Sequence, residues 1–386
     1  MRTRSGEVID RALALVSPAG RPGRGRRRGP ARSAAPAEGR VNVLMPAGEG
    51  SLGDEALIFG TSELAARARR TASFWLLGAA PSLLDRGLDE VRDSHTIVRM
   101  ALSRLNAHGR SRAQGADLIV VGADTISGDY EHRFLAARVE ALNHASAAGR
   151  SAKLVNCSET RAPSTLSVRL LGGLRDDVEV WARDRDSQER LLALLDRPVA
   201  LAPDVGCLVT PRGSGRFRPP SDGPFAVFVP NAHFSAHLGL DEGELIGAWR
   251  DVIRALPMPV VVLPHDVRGF PGDVDLARRL TAVSGAALHV PTDVHDAKDV
   301  LARASLVVSA RMHACVGALS SGTPTVGLEY LEKFRGQFAW YGELGRTVPE
   351  RAVCDPDEIG QAVSEVLQHD RERWTVPSDW FAESWL

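Results

Sequence analysis

The chain has 386 residues, of which 44% are hydrophobic and 25% are charged, and its formal net charge is −1. This length is too great for one comfortable core and predicts two domains of ordinary globular composition. The four cysteines form no CxxC pair and have no histidine at metal-ligand spacing, which excludes a disulfide framework and a zinc site of that type. No apolar run reaches the ~20 residues of a bilayer-spanning helix, so we expect a soluble, cytoplasmic protein with reduced thiols.

The charge is distributed unevenly along the chain. Residues 1–40 contain ten arginines and three acidic residues, a net charge of +7, which leaves −8 for the rest. Because residues 17–40 are mostly Pro, Gly, Ala and Arg, they cannot bury enough apolar surface to fold, and we predict a disordered basic leader over residues 1–40. A basic arm also suits nucleic acid or an anionic membrane surface. The mildly acidic body argues against a nucleic-acid partner, whereas a peripheral contact at the inner face of the membrane stays open.

Strand-like and helix-like segments alternate from residue 41 onwards. In the first half, apolar runs predict strands, and periodic apolar residues between polar or Gly-rich turns predict helices. The predicted strands are Val41–Ala47, Phe74–Leu77, Thr96–Met100, Asp117–Gly122, Lys153–Cys157, Val178–Ala182 and Val199–Ala202, and the predicted helices are Glu55–Arg69, Glu131–Ala148 and Ser187–Leu195. This alternation favours right-handed βαβ units and a mostly parallel sheet.

A second alternation follows a stretch at residues 211–224 that is rich in Pro, Gly and Ser and predicts an interdomain linker. The predicted strands after it are Phe225–Pro230, Val260–Leu263, Leu288–Val290, Leu306–Ser309 and Thr325–Gly327, and the predicted helices are Glu242–Leu256, Val274–Val283, Ala297–Ala304 and Met312–Leu319. This half therefore also has the pattern of a doubly wound sheet.

The two alternations predict an α/β protein with two Rossmann-like domains that face a central cleft, which is the architecture of the GT-B glycosyltransferases. We place the N-terminal domain at residues 41–210 and the C-terminal domain at residues 225–350. Residues 351–386 are predicted to form a helix and tail that pack back on the N-terminal domain. The aromatic residues of this tail also fit a membrane-interface anchor or a subunit contact; they are Trp374, Trp380, Phe381 and Trp385.

The segment Leu306–Lys333 carries the strongest chemical signal. A buried apolar strand ends at Ser309 and a helix begins within the next few residues, so Arg311 and His313 lie where unpaired N–H groups favour an anion. The guanidinium fork of Arg311 matches a carboxylate or phosphate. His313 can donate or accept a proton near neutral pH. A structural ion pair is an equally open interpretation of Arg311.

Other polar residues lie at strand ends and turns. Arg183 follows the strand Val178–Ala182 and should face the cleft, and Ser187 is placed to cap the next helix. Asp54 lies in a Gly-rich turn that lacks the spacing and the lysine of a phosphate loop, so it is either an N-cap or a partner for a sugar hydroxyl. His265, at the end of the run VVLPHD, either faces the cleft or is a turn histidine.

Together these segments resemble the polysaccharide pyruvyl transferase family. Each motif alone is weak, whereas the ordered set is fairly specific because it spans both predicted domains. The motifs are SLGDEALI at Ser51–Ile58, VGAD at Val121–Asp124, RDRDS at Arg183–Ser187, PD at Pro203–Asp204 and SARMH at Ser309–His313, with a later lysine at Lys333.

The resemblance implies phosphoenolpyruvate as co-substrate, without a further cofactor, and an acceptor sugar with two suitably placed hydroxyls, with a lipid or nucleotide linkage left open. The product would be a pyruvate ketal, with phosphate released. The N-terminal domain would handle the acceptor and the C-terminal domain the donor. His313 would protonate the enol methylene or deprotonate an acceptor hydroxyl, while Arg183 and Arg311 would hold the anionic groups of the donor. Lys333 is either a further charge for the phosphate or a surface lysine.

Two other functions stay open. A nucleotide-sugar-dependent glycosyltransferase of the GT-B type would release a nucleotide and would use an acidic residue such as Glu329 for the ribose. A non-catalytic binding protein of the same fold is the second alternative, against which the set of Arg183, Arg311 and His313 argues. We find no spacing typical of a metal site, and the sequence indicates neither the acceptor sugar nor the oligomeric state.

Overall fold

The computed structural model describes residues 39–46, 51–77, 89–100, 116–124, 126–127, 132–268, 272–330, 333–368, 376–381 and 385. Residues 1–38, which make up almost all of the predicted leader, lie outside these ranges, as does Trp374 of the aromatic tail. The described part forms two all-parallel sheets with helices around them, and the predicted α/β class with two Rossmann-like halves is confirmed.

The first sheet has seven strands in the order β3-β2-β1-β4-β5-β6-β7. They are β1 (Arg40–Leu44), β2 (Thr71–Leu77), β3 (Thr96–Met100), β4 (Asp117–Ala123), β5 (Ala152–Cys157), β6 (Glu179–Ala182) and β7 (Ala200–Leu201). Alternate residues of β4 pack into different apolar clusters, Ile119 and Val121 on one face and Leu118 and Val120 on the other. Both faces of the sheet are therefore covered, which explains why its strands are nearly continuous apolar runs.

The first half has five helices within the described residues. They are α1 (Leu52–Arg67), α2 (Asp89–Ser94), α3 (His132–Ala147), α4 (Thr165–Leu171) and α5 (Arg185–Leu195). The Ser51 hydroxyl accepts the N–H of Asp54 at 3.4 Å, so Ser51 is the N-cap of α1. The Asp184 carboxylate accepts the N–H of Ser187 at 2.8 Å at the start of α5. The prediction that Ser187 caps this helix is therefore wrong, because Ser187 is the residue that is capped.

The second sheet has six strands in the order β10-β9-β8-β11-β12-β13. They are β8 (Ala226–Val229), β9 (Val260–Val262), β10 (Ala287–Leu288), β11 (Leu306–Ser309), β12 (Thr325–Leu328) and β13 (Gly345–Val348). The helices of this half are α6 (Phe234–Leu238), α7 (Glu242–Ala255), α8 (Asp273–Ser284), α9 (Val294–Arg303), α10 (Met312–Leu319), α11 (Lys333–Phe338) and α12 (Pro356–Leu367).

In both sheets the strand order changes direction at one place, between the first and the fourth strand of that half. In the first half these strands are β1 and β4, and in the second they are β8 and β11. Open α/β sheets bind ligands in the crevice outside the carboxyl ends of the strands at such a switch point. The segments that follow β1, β4 and β11 therefore position the site.

The two halves make direct contacts through α1 and α9. The carboxylate of Glu55 on α1 accepts the N–H of Val294 at 3.0 Å, at the first residue of α9. The ammonium of Lys298 on α9 donates to the carbonyl of Cys207 at 2.8 Å. Burial raises the pKa of Glu55 to about 8 and lowers the pKa of Lys298 to about 8. Both groups are buried at this interface, so their charges depend on how the halves meet.

The C-terminal segment differs in part from its prediction. Helix α12 packs on β12, β13 and α7 of the second half, so the expectation that it crosses back to the first half is wrong. Its apolar face, which includes Ile359 and Val363, completes the cluster beneath the second sheet. Further along, Trp380 packs on Trp340, with ring centroids 5.2 Å apart.

Candidate active site

A cavity of about 350 Å³ lies between the two halves, at the carboxyl ends of β1, β4, β9 and β11. We call it the first cavity. Its lining residues in the described part of the chain are Pro46, Ser51, Gly53, Asp54, Asp124, Phe134, Arg138, His265, Arg268, Arg311, Met312, His313, Tyr330 and Lys333. Five of the six residues that the sequence predicts for the site are among them, and Arg183 is the exception.

His313 lies in the first turn of α10 and faces Asp204 of the first half. The turn before it is fixed by Ser309, whose hydroxyl accepts the N–H of Arg311 at 3.0 Å and donates to its carbonyl at 2.9 Å. The Nε2 atom of His313 lies 3.5 Å from Oδ2 of Asp204. On the Nδ1 side the ring packs against Gly53, where an added Cβ would come within 2.5 Å of Nδ1. The ring is thus held between a carboxylate and the start of α1.

Asp204 and Arg183 form a fully buried ion pair behind His313. Nη1 of Arg183 donates to Asp204 at 2.8 Å, and Nε donates to the Ser158 hydroxyl at 2.6 Å. Burial alone would raise the pKa of Asp204, but His313 and Arg183 outweigh it and hold that pKa well below its usual range. The side chain of Arg183 has no exposed surface. The expectation that it faces the cleft and holds a substrate anion therefore disagrees with this geometry, in which it supports Asp204.

Arg311 lies on the wall of the first cavity but is also held from behind. Its Nε and Nη2 donate to the carboxylate of Asp273 at 2.9 and 2.6 Å. Asp273 is the first residue of α8 and is completely buried. Arg268 makes a similar contact with Asp266, to which its Nε donates at 2.9 Å. Neither carboxylate lines the cavity, so both guanidinium groups present positive charge to the cleft.

Asp54 and His265 have strongly shifted pKa values. Part of the surface of Asp54 remains open to the cavity, yet protein surrounds its carboxyl. This burial raises its pKa to about 7, although His313 acts in the opposite direction. Because Ser51 caps α1, the N-cap interpretation of Asp54 is wrong. Burial lowers the pKa of His265 to about 3, with His313 and Arg311 contributing in the same direction, so this imidazole is neutral.

Lys333 joins the two halves at the edge of the first cavity. Its ammonium donates to Asp124, which follows β4, at 2.6 Å, and lies 5.5 Å from the ring centroid of Tyr330. Burial would raise the pKa of Asp124, but Lys333 and then Arg183 lower it well below its usual range. A second cavity of about 660 Å³ adjoins the first, and Asp124, Tyr330 and Lys333 line both. Lys333 is therefore a partly buried cleft residue, and its interpretation as a surface lysine is wrong.

Two cationic residues of the site were not predicted. Arg138 lies within α3 among buried apolar residues, and Arg268 follows β9 by a few positions. Burial lowers the pKa of Arg138 to about 10. An arginine in the middle of an apolar helix face is the signal that could have identified Arg138. Together with Arg311 and Lys333, these residues bring four cations to the first cavity, against the carboxyl groups of Asp54 and Asp124.

In the described ranges, no group of three or more His, Cys, Asp and Glu side chains is arranged to hold a metal ion. None of the helices in these residues is long and apolar enough to cross a bilayer. The carboxylate of Glu329, a candidate for contacting a ribose, instead accepts a bifurcated hydrogen bond from Nε of Arg335, which lies 3.1 Å from each carboxylate oxygen.

The two parallel sheets with a cleft between them define an α/β fold of the GT-B type, and solved structures share it. A putative UDP-N-acetylglucosamine 2-epimerase from Listeria monocytogenes is similar with a TM-score of 0.56 and 13% identity, over 87% of this chain and 92% of that one. The UDP-GlcNAc 2-epimerase from Neisseria meningitidis has a TM-score of 0.52 and 11% identity, over 86% and 94%. UGT2 of Phytolacca americana has a TM-score of 0.51 and 13% identity, over 87% and 91%. At these identities the likeness shows the fold alone.

Sequence comparison identifies the family to which the chain belongs. Residues 52–332 match the polysaccharide pyruvyl transferase pattern, and the chain belongs to that family. The match covers most of both halves and confirms the resemblance drawn from the motifs. Comparison with curated proteins found no match.

Proposed function

We propose that the protein transfers a pyruvyl group from phosphoenolpyruvate to two hydroxyls of a sugar and forms a cyclic ketal. Membership of the polysaccharide pyruvyl transferase family supports a transferase with a saccharide acceptor. The observation that carries the donor assignment is the charge of the first cavity. Four cations line it, and the carboxylates that pair with Arg268 and Arg311 lie behind the wall. Phosphoenolpyruvate carries a carboxylate and a phosphate, and planar guanidinium groups match both.

The donor site in this proposal differs from the pair of arginines expected from sequence. Arg311 and Arg268 meet one anionic group of the donor, and Arg138 and Lys333 meet the other. Arg183 acts indirectly, because it holds Asp204 in the ionised state beside His313. Cations that are fixed before the donor binds stabilise charge without reorganisation as the C–O bonds change.

The reaction requires balanced proton transfers. The methylene carbon of the donor gains one proton to become a methyl group, and the two acceptor hydroxyls each lose one. One of these protons balances the methyl group and the other leaves with inorganic phosphate. His313 lines the first cavity beside ionised Asp204 and is the base for a hydroxyl, with Nδ1, next to Gly53 in the cavity wall, as the nitrogen that accepts the proton. Asp54 has a pKa of about 7 and is partly protonated near neutral pH, so it is the acid for the methylene carbon.

In this proposal the acceptor is a sugar of a polysaccharide or glycoconjugate precursor, with a lipid or nucleotide linkage still open. Pyruvyl transfer would take place in the cytoplasm or at the inner face of the membrane, where such precursors are made available. The donor is the only small molecule that the reaction consumes besides the acceptor, so no separate cofactor enters the scheme.

The test is incubation of the full-length protein with phosphoenolpyruvate and a panel of nucleotide-linked and lipid-linked sugars, with continuous measurement of phosphate. We expect release that depends on one class of acceptor, together with a product heavier by the pyruvylidene group. The His313→Ala variant serves as the inactive control. Release of a nucleotide from a nucleotide sugar without consumption of phosphoenolpyruvate would instead support a glycosyltransferase. Ligand binding without any turnover across the panel would support a non-catalytic protein.

A further inference from the structure

The second cavity is built from both halves and opens beside the proposed reaction site. In the first half its wall comes from the segments after β4, β5 and β6, and in the second half from those after β8, β12 and β13. Its volume of about 660 Å³ lies within the usual range of small-molecule sites. Because it shares Asp124, Tyr330 and Lys333 with the first cavity, a ligand in one can reach a ligand in the other.

The two cavities differ in whether the carboxylates that pair with their cationic side chains also line the cavity. Arg268 and Arg311 line the first cavity, but the carboxylates that they contact, Asp266 and Asp273, do not. A ligand in this cavity therefore meets the guanidinium groups and not the carboxylates. In the second cavity both members of each pair line the wall. These pairs are Lys333–Asp124 at 2.6 Å, Arg335–Glu329 at 3.1 Å, His237–Glu350 at 3.3 Å and Arg190–Asp186 at 3.8 Å.

A wall of paired donors and acceptors suits an uncharged ligand that is rich in hydroxyls. A hydroxyl group donates one hydrogen bond and accepts others, so it can bridge a cation and the carboxylate beside it. Side-chain hydroxyls on the same wall, from Ser127, Ser158 and Thr160, add further groups of this kind. A diphosphate or a nucleotide would meet a carboxylate in each of these four pairs, and like charges close together repel.

We propose that the second cavity binds an uncharged saccharide segment of the acceptor and directs its hydroxyls past Lys333 and Asp124 into the first cavity. The identity of the reaction rests on the proposed function, whereas saccharide binding itself requires no turnover. The assignment also places a charged carrier group, such as a diphosphate, outside the second cavity.

The experiment is saturation-transfer NMR on the full-length protein with lactose, maltose and cellobiose as neutral probes and UDP as the charged comparator. Thr160→Trp fills the second cavity from a half-buried loop position. Ser364→Trp is the matched control, since it adds the same bulk at an exposed position of α12, in a separate groove between α7 and α12. We expect at least one disaccharide to bind the wild type and the control. Thr160→Trp should weaken that binding by about tenfold or more, whereas the affinity for phosphoenolpyruvate, measured by calorimetry, should stay within about twofold.

Three results would overturn the assignment: none of the neutral disaccharides binds, the bound disaccharide is unaffected by Thr160→Trp, or UDP binds more tightly than every disaccharide and is displaced by that substitution. Phosphate release is measured in parallel to separate the two proposals. Saccharide binding that Thr160→Trp abolishes, without phosphate release in any mixture, would contradict the donor chemistry alone.

Discussion

Nε2 of His313 and Oδ2 of Asp204 lie 3.5 Å apart across the interface between the two halves. Asp204 follows β7 of the first sheet, and His313 follows β11 of the second. The carboxylate that lies beside the imidazole is therefore in place only when the halves have this mutual arrangement. Arg183 holds Asp204 from the other side at 2.8 Å. The chemistry proposed for His313 thus depends on this arrangement of the two halves.

Replacement of His313 by alanine is expected to lower turnover by about 10²–10⁴-fold, the usual contribution of a positioned acid or base. The affinity for phosphoenolpyruvate should change much less, because the cations of the first cavity remain. The measurements are phosphate release at varied phosphoenolpyruvate and a thermal melt of each variant. Met258→Leu is the control, since it is a volume-conserving apolar change outside the first cavity and should be nearly silent. Near-normal turnover of a folded His313→Ala protein would show that the histidine is only structural.

Replacement of Arg311 by alanine should affect both binding and stability. Loss of a charge-assisted contact is expected to weaken donor binding by roughly 1.5–3 kcal/mol. It also leaves buried Asp273 without its bidentate partner, which typically costs about 3–5 kcal/mol of stability. Asp273→Asn provides the contrast, because it should lower the melting temperature yet preserve donor affinity. Calorimetric titration of both variants separates the effects, and equal loss of affinity in the two would argue against a donor contact by Arg311.

Much of the fold could be predicted because buried parallel strands are continuous apolar runs. The strand Leu306–Ser309 and the helix Met312–Leu319 were predicted with the bounds that the structure has. Short elements were missed. Gly345–Val348 has glycine and arginine at its start, and Thr165–Leu171 is too short to establish a helical period.

The site was harder to predict because ion pairs form between distant positions. Arg183 and Arg311 both follow apolar strands, so sequence alone treats them alike. In the structure Arg183 meets Asp204 in the interior, whereas Arg311 keeps one face on the first cavity. Local sequence places a charge at a strand end, but only tertiary packing decides whether a carboxylate or a ligand meets it.

Replacement of Arg183 by alanine should act mainly on stability. It leaves Asp204 buried and unpaired on that side, and breaking a buried pair typically costs about 3–5 kcal/mol. Urea unfolding measures this loss. Arg250→Ala, which breaks an exposed pair with Asp251, should change little. The milder variant Arg183→Lys tests whether Arg183 binds the donor. If the folded variant had an unchanged kcat but a KM for phosphoenolpyruvate about tenfold higher, Arg183 would contact the donor, as the sequence predicts.

Because Glu55 is protonated more readily in the folded protein, the free energy of unfolding should fall as the pH rises. Its pKa in the folded protein is about 8, against the ordinary value of 4.5, so the folded state binds more protons than the unfolded state between these values. The free energy of unfolding therefore falls across that window, by about 1.4 kcal/mol per pH unit for one such group. Asp54 also lowers the free energy of unfolding as the pH rises, between pH 3.8 and about 7.

Urea unfolding of Glu55→Gln at several pH values tests this linkage. The amide stays neutral and can still accept the N–H of Val294, so the fall in stability should become less steep. Glu63→Gln on the same helix is the control, because Glu63 is exposed and pairs with Arg67 at the surface. Identical pH slopes for Glu55→Gln and the wild type would mean that Glu55 is ionised in the folded protein.

Gly53→Ala is expected to lower activity without unfolding the chain. At this position in α1 a Cβ would lie 2.5 Å from Nδ1 of His313, so the imidazole must shift and its placement beside Asp204 must change. Alanine is favoured over glycine in helices by about 1 kcal/mol, which offsets part of the strain. We therefore expect turnover to fall towards the level of His313→Ala while the melting temperature changes little.

Gly247→Ala in α7 is the matched control for that substitution. An added Cβ there meets no atom within 4 Å, so the change should raise stability by about 0.5–1 kcal/mol and leave turnover at the wild-type level. The two variants differ only in what the new methyl group touches. If Gly53→Ala keeps full activity, the His313 ring tolerates displacement, and its contact with Asp204 is not required for proton transfer. Equal losses of activity in both variants would instead point to a general effect of stiffening the helices.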